Sequence, residues 1–137
     1  MSVPSYLRKE NKVKFLDDAR LLVKHTLTKC TTESNFAKRY RWCVTQNIVN
    51  SVLEMYSNIR KANAVFVNTA EDYKLRRNYQ KRAYAETDSL LGLIDIAYEQ
   101  FNKLTSEEIE HWVTLVRNAQ CSLKNWIESD TKKYAGL

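Results

Sequence analysis

The chain has 137 residues, 44% of them hydrophobic and 28% charged, which is the size and balance of one folded domain and not of a disordered chain or a multidomain enzyme. Two glycines and one proline leave too little turn chemistry for all-β or doubly wound α/β folds, so the fold class to expect is all-α. Lys and Arg number 22 against 16 Asp and Glu, a net charge of +6 that favours an anionic partner, nucleic acid first.

Residues 1–11 show no periodic apolar face and read as an arm, as do residues 131–137. From about Lys12 to Lys29, Phe15, Leu16, Ala19, Leu22, Val23 and Thr26 recur at spacings of three and four, the pattern of an amphipathic helix. The polar run Cys30-Thr31-Thr32-Glu33-Ser34-Asn35 ends it with residues that favour caps and turns. A second helix is expected from about Phe36 or Arg39 to Ala62, with Trp42, Thr45, Ile48, Val49, Val52, Tyr56 and Ile59 as its stripe.

Asn63 to Asn68 contains the short apolar run Val65-Phe66-Val67, read as a linker packed on the bundle end because a lone strand has no partner. Thr69 followed by Glu71 and Asp72 is a helix start: a capping hydroxyl with acids in the first turn. The third helix continues to about Phe101 through Tyr73, Arg76, Tyr79, Ala83, Leu90, Leu91, Ile94, Ala97 and Phe101, with Gly92 its one weak point. Thr105-Ser106-Glu107-Glu108 has the capping-box pattern and opens a fourth helix with Ile109, Trp112, Val116, Ala119, Leu123, Trp126 and Ile127, ending near Asp130. Four helices with short connections pack most simply as an antiparallel up-down-up-down bundle, so the whole of 1–137 reads as a single four-helix bundle domain.

In that topology one end collects residues 1–20, 56–82 and 120–137. It carries 15 bases and 7 acids, or +8, while the rest of the chain carries 7 bases and 9 acids, or −2. The densest run is Lys74-Leu75-Arg76-Arg77-Asn78-Tyr79-Gln80-Lys81-Arg82, with Tyr73, Tyr79 and Tyr84 interleaved. Arginines grip phosphates and tyrosines stack on unpaired bases, so the run suits a structured or single-stranded RNA. The plain alternative is a solvated helix face with its tyrosines turned inward.

Other chemistry finds little support. No stretch approaches 18 apolar residues, and Met1 to Glu10 has no signal-peptide core, so no membrane is expected and a cytoplasmic location is. Cys30, Cys43 and Cys121 are odd in number and form no C-x-x-C pair; they read as reduced residues of the core or its boundary. His25 and His111 sit in no metal-ligand spacing, and with glycine only at 92 and 136 there is no phosphate loop. Asp88 and Asp95 read as a solvated or salt-bridged face, and Asp95, between Ile94 and Ile96, as a partly buried acid in need of a basic partner. No enzyme, metal or cofactor is expected.

Several local patterns in order carry a resemblance: Arg8-Lys9-Glu10, Lys38-Arg39-Tyr40, Tyr56-Ser57-Asn58-Ile59-Arg60-Lys61-Ala62-Asn63, Asp72-Tyr73-Lys74-Leu75-Arg76-Arg77-Asn78-Tyr79 and Ile94-Asp95-Ile96-Ala97-Tyr98. Over nearly its whole length the chain resembles the accessory variability determinant (Avd) family of diversity-generating retroelements. Trp112 and the Trp126 to Asp130 stretch fall where that family's last helix lies. The resemblance implies a four-helix bundle that assembles as a barrel-like homopentamer in a bacterial or phage-infected cell. It further implies binding to the element's reverse transcriptase and template-repeat RNA, in support of error-prone cDNA synthesis and mutagenic retrohoming, with no catalytic residue of its own. The positions it backs for nucleic-acid or polymerase contact are Arg60, Lys61, Lys74, Arg76, Arg77, Lys81 and Arg82. Three Trp and eight Tyr are many for one narrow bundle, so Trp42, Tyr56, Trp112 and Trp126 belong either to the core or between subunits. Two alternatives stay open: a four-helix protein of the kind encoded in intervening sequences of ribosomal RNA genes, and a helical module whose basic face binds an acidic protein.

Overall fold

The computed structural model describes residues 14–32, 34–101 and 103–137, and every regular element among them is helical. Helix α1, Lys14–Thr31, turns the anticipated stripe inward: Leu16, Ala19, Leu22 and Thr26 are buried, with Phe15 and Val23 packed at the border. It runs past Lys29 because its last carbonyls find side-chain partners. The hydroxyls of Thr31 and Thr32 donate back to the carbonyls of Leu27 and Thr28, each at 2.7 Å, and the Asn35 side-chain amide donates to the Lys29 carbonyl at 3.1 Å. The start proposed at Lys12 and the arm 1–11 lie outside the described residues.

The second helical run begins with a 3-10 turn, Lys38–Tyr40, and a π-helical turn, Arg41–Thr45, before α2, Gln46–Ala64. In the π turn the Gln46 amide donates to the Arg41 carbonyl five residues back. That wider turn breaks the 3.6-residue stripe and corrects one reading: Thr45, Ile48, Val52 and Ile59 are buried as anticipated, but Trp42 is 79% exposed. Met55, outside the anticipated stripe, is fully buried. After α2 the chain is extended, and Phe66, expected against the bundle end, is 82% exposed.

Helix α3, Ala70–Phe101, spans about 48 Å at 1.5 Å per residue. Its start is a reciprocal cap. The Asp72 amide donates to the Thr69 hydroxyl at 3.1 Å, while the Asp72 carboxylate accepts from the amides of Asn68 and Thr69 at 3.0 and 3.1 Å. These amides hold Asp72 below the ordinary carboxylate range. Ala83, Leu90, Ile94 and Ala97 face the core, joined by Gln80 and Thr87, which the apolar stripe does not mark. Asp95 corrects another reading: Ile94 is buried, Ile96 is 58% exposed, and Asp95 lies with Ile96 on the outward arc. Successive helical residues are about 100° apart, so two apolar neighbours do not make an interior position.

Helix α4, Ser106–Lys133, starts at the anticipated cap, with the Glu108 amide donating to the Thr105 hydroxyl at 3.1 Å. The Glu108 carboxylate takes Lys29 Nζ at 2.9 Å and the Thr105 hydroxyl at 3.3 Å, and the Lys29 hydrogen bond is the main cause of its lowered pKa. The helix passes Asp130 and ends at Lys133, so residues 131–133 are helix and not arm.

The helices close a ring of packings: α1 on α2, α2 on α3, α3 on α4, α4 on α1. This is the arrangement of a four-helix bundle. Between α1 and α4, Phe15 stacks on Trp126 with centroids 3.6 Å apart, Ser122 donates to Asp18, and the buried Trp112 indole donates to the Thr26 hydroxyl at 3.0 Å. Between α2 and α3, the Ser51 hydroxyl meets the Glu86 carbonyl and carboxylate at 3.2 and 3.0 Å. Leu22, Ile48, Met55, Ile59, Leu90, Ile94, Val116 and Leu123 fill the centre without exposure, each contributing about 1.5–3 kcal/mol. Of the cysteines only Cys30 is buried, its thiol pushed up to about 12 by desolvation, whereas Cys43 and Cys121 are on the surface. No described helix is long and apolar enough to cross a membrane.

Candidate nucleic-acid interface

The basic run starts in the first turns of α3, and the side chains there divide by helical angle. Arg76 points inward against α4. Its Nε donates to Asp130 Oδ2 at 2.7 Å and its Nη2 to Oδ1 at 3.1 Å, and Gln80 Nε2 adds a third donor to Oδ2 at 2.7 Å. The two charged side chains are only 13% and 4% exposed. Arg76 also lies 5.1 Å from the Trp126 ring centroid and 5.9 Å from that of Tyr134. Arg76 is therefore a structural residue joining α3 to α4, a use the charge count does not distinguish from surface charge.

The other six positions divide in turn. Arg77 is half-buried, its Nη1 donating to the Tyr73 hydroxyl at 3.0 Å across one helical turn. Arg60, Lys61, Lys74, Lys81 and Arg82 are exposed. Lys61 of α2 and Arg82 of α3 both approach the Tyr79 ring, at 5.9 and 5.8 Å from its centroid, so one tyrosine carries cations from two helices. Each such contact contributes about 0.5–1 kcal/mol at an exposed site. Arg60, Lys74 and Lys81 make no hydrogen bond or ion pair with another described residue. The five exposed cations lie on two helices that pack together, and two of them stand over the half-buried Tyr79 ring; these are residue types that can pair with phosphate and stack on bases.

Residues at the end of α4 extend this neighbourhood. Tyr134 packs on Tyr73 with centroids 5.2 Å apart, and Lys133 Nζ lies 5.4 Å from the Tyr134 ring. Both were assigned to an arm, since the apolar stripe stops at Ile127. One signal was available for Asp130: it continues the series 112, 116, 119, 123, 126 at the same spacing, which puts its side chain on the buried face. Among the described residues no group of three or more His, Cys, Asp or Glu is placed to hold a metal ion. Comparison with family models, with curated proteins and with solved structures finds no match to this chain.

Proposed function

We propose that this chain is a non-enzymatic accessory subunit of the Avd type, binding the reverse transcriptase and template-repeat RNA of a diversity-generating retroelement in the cytoplasm. The observation that carries the reading is the pair of cations from α2 and α3, Lys61 and Arg82, on one tyrosine, with Arg60, Lys74 and Lys81 exposed on the same two helices. The sequence resemblance supplies the identity of the anion as RNA and the polymerase as the second partner. In the same reading the bundle is antiparallel, up-down-up-down. The pairing of Phe15, Thr26 and Lys29 with Trp126, Trp112 and Glu108 supports alternating directions for α1 and α4. Five copies closing a homopentamer would bring five such basic ends together on one rim.

The test is binding of the purified protein to template-repeat RNA from its own locus over a salt series, with and without the reverse transcriptase, with mass measured by light scattering in the same samples. If all five exposed cations meet phosphates, log affinity falls with log salt at a slope of about −3.5, at roughly 0.7 per phosphate of a single strand. Lys81→Ala/Arg82→Ala should make that slope shallower by about 1.4 without loss of helicity. A monomer that binds neither RNA nor polymerase near 150 mM salt, a concentration at which surface charges are screened beyond about 8 Å, would overturn the reading.

A further inference from the structure

A second aromatic and basic surface lies at the other end of α2. Trp42 stands on the π turn with 79% of its surface exposed, and it is flanked by Arg39 and Arg41, both exposed. Trp112 and Trp126 are buried, so this indole alone among the tryptophans is open to a ligand. The π turn fixes its direction: the Arg41 carbonyl takes the Gln46 amide and, at 3.4 Å, the Thr45 hydroxyl, which holds the widened turn. Tyr40 anchors the preceding turn by packing on Phe101 at 4.2 Å between centroids, and Arg39 donates to the Tyr40 hydroxyl at 2.8 Å. Arg41 also borders a cleft of about 230 Å³ between the end of α1 and the start of α2, lined with Thr31, Thr45 and Gln46 among others. Residues 34–53 include three bases and no acid.

We infer that this turn is a second contact for single-stranded RNA, with Trp42 stacking on an unpaired base and Arg39 and Arg41 meeting the adjoining phosphates. The inference rests on the RNA-binding reading above and deepens it. An indole stacks on any base, and guanidinium groups pair with phosphate, so the two residue types together fit a flexible strand better than a duplex, whose bases are already stacked. A second copy of the same turn on this surface would set like charges against each other, which is unfavourable. Lys61 lies nineteen positions after Trp42, about 28 Å along a helix, so one strand several nucleotides long could engage both the π turn and the far end of α2.

The experiment uses the full chain and a twelve-nucleotide oligouridylate, with tryptophan emission and the anisotropy of labelled RNA read in parallel. The wild type should show saturable quenching that is absent in Trp42→Ala, with affinity for the RNA reduced roughly tenfold by that substitution and partly restored in Trp42→Phe. Lys81→Ala/Arg82→Ala should weaken binding but keep the quenching. Circular dichroism should be unchanged in all of these variants, since the substituted side chains are exposed. Equal affinity of Trp42→Ala and wild type with no quenching overturns this inference and leaves the basic end of the bundle as the RNA surface. Equal quenching by duplex RNA of the same length overturns it as well. So does a blue shift of Trp42 emission on raising protein concentration without RNA, which would mean that a second copy covers the indole. Failure of the wild type to bind the oligouridylate overturns this inference alone, because the reading above is decided by template-repeat RNA and the polymerase.

Discussion

At the scale of single residues, Asp130 is the most constrained side chain near the candidate interface. It accepts from Arg76 twice and from Gln80 once while almost fully buried. Removing one partner of such a pair strands the other charge, whereas removing both with apolar replacements relieves the desolvation cost. Asp130→Ala should therefore lower stability by about 3–5 kcal/mol, and Arg76→Met/Asp130→Leu should recover most or all of that loss. Urea unfolding of the two variants and the wild type checks the sign and size, and a loss below about 1 kcal/mol for Asp130→Ala would place the pair in solvent. It follows that Arg76→Ala is a poor probe of RNA contact, because a binding defect would be confounded with loosening of α3 from α4. Exposed Lys81 and Arg82 are the better choice.

At the scale of elements, the caps explain why α3 and α4 begin where they do. Thr69 and Asp72 satisfy each other's amides, while the Thr105 hydroxyl accepts from the Glu108 amide and donates to the Glu108 carboxylate. Thr69→Ala should cost about 1 kcal/mol, seen as a lower urea midpoint with unchanged slope, and Thr69→Asn should restore most of it. Cap patterns made these starts legible in the sequence, and Ala70–Phe101 agrees with the anticipated span. The π turn was not legible, because a stripe counted at 3.6 residues per turn assumes an unbroken α-helix. For that reason the stripe includes Trp42, and of the two places expected for it, the core or a subunit contact, its exposure excludes the core.

At the scale of the whole molecule, the approach of α1 to α4 puts His25 against His111, 5.0 Å between ring centroids, and against Trp112 at 6.2 Å. His25 Nε2 is buried and has no hydrogen-bond partner among the described residues. Burial first, then the charges of His111 and Lys29, hold its pKa below the ordinary 6.5. The unfolded chain thus binds a proton that the folded chain resists, so the stabilisation is complete above about pH 6.5 and declines as pH falls toward the folded value. The urea midpoint should drop between about pH 7.5 and 5.5, above the range in which carboxylates titrate. That slope should be reduced in His25→Leu, and an unchanged slope would assign the effect to other groups.

The sequence by itself determined the helical class, the order and approximate limits of the four helices and most of the core. Those properties follow from glycine and proline content, from apolar spacing and from caps, all of which are local. Only the tertiary structure decided which charges are free. Arg76 and Arg77 are neighbours in the chain, but a turn of about 100° sends one into Asp130 and leaves the other beside Tyr73. Lys61 and Arg82 are 21 positions apart, yet both lie over Tyr79. Charge placement of this kind depends on which helix faces which, and that is settled by packing between segments distant in sequence.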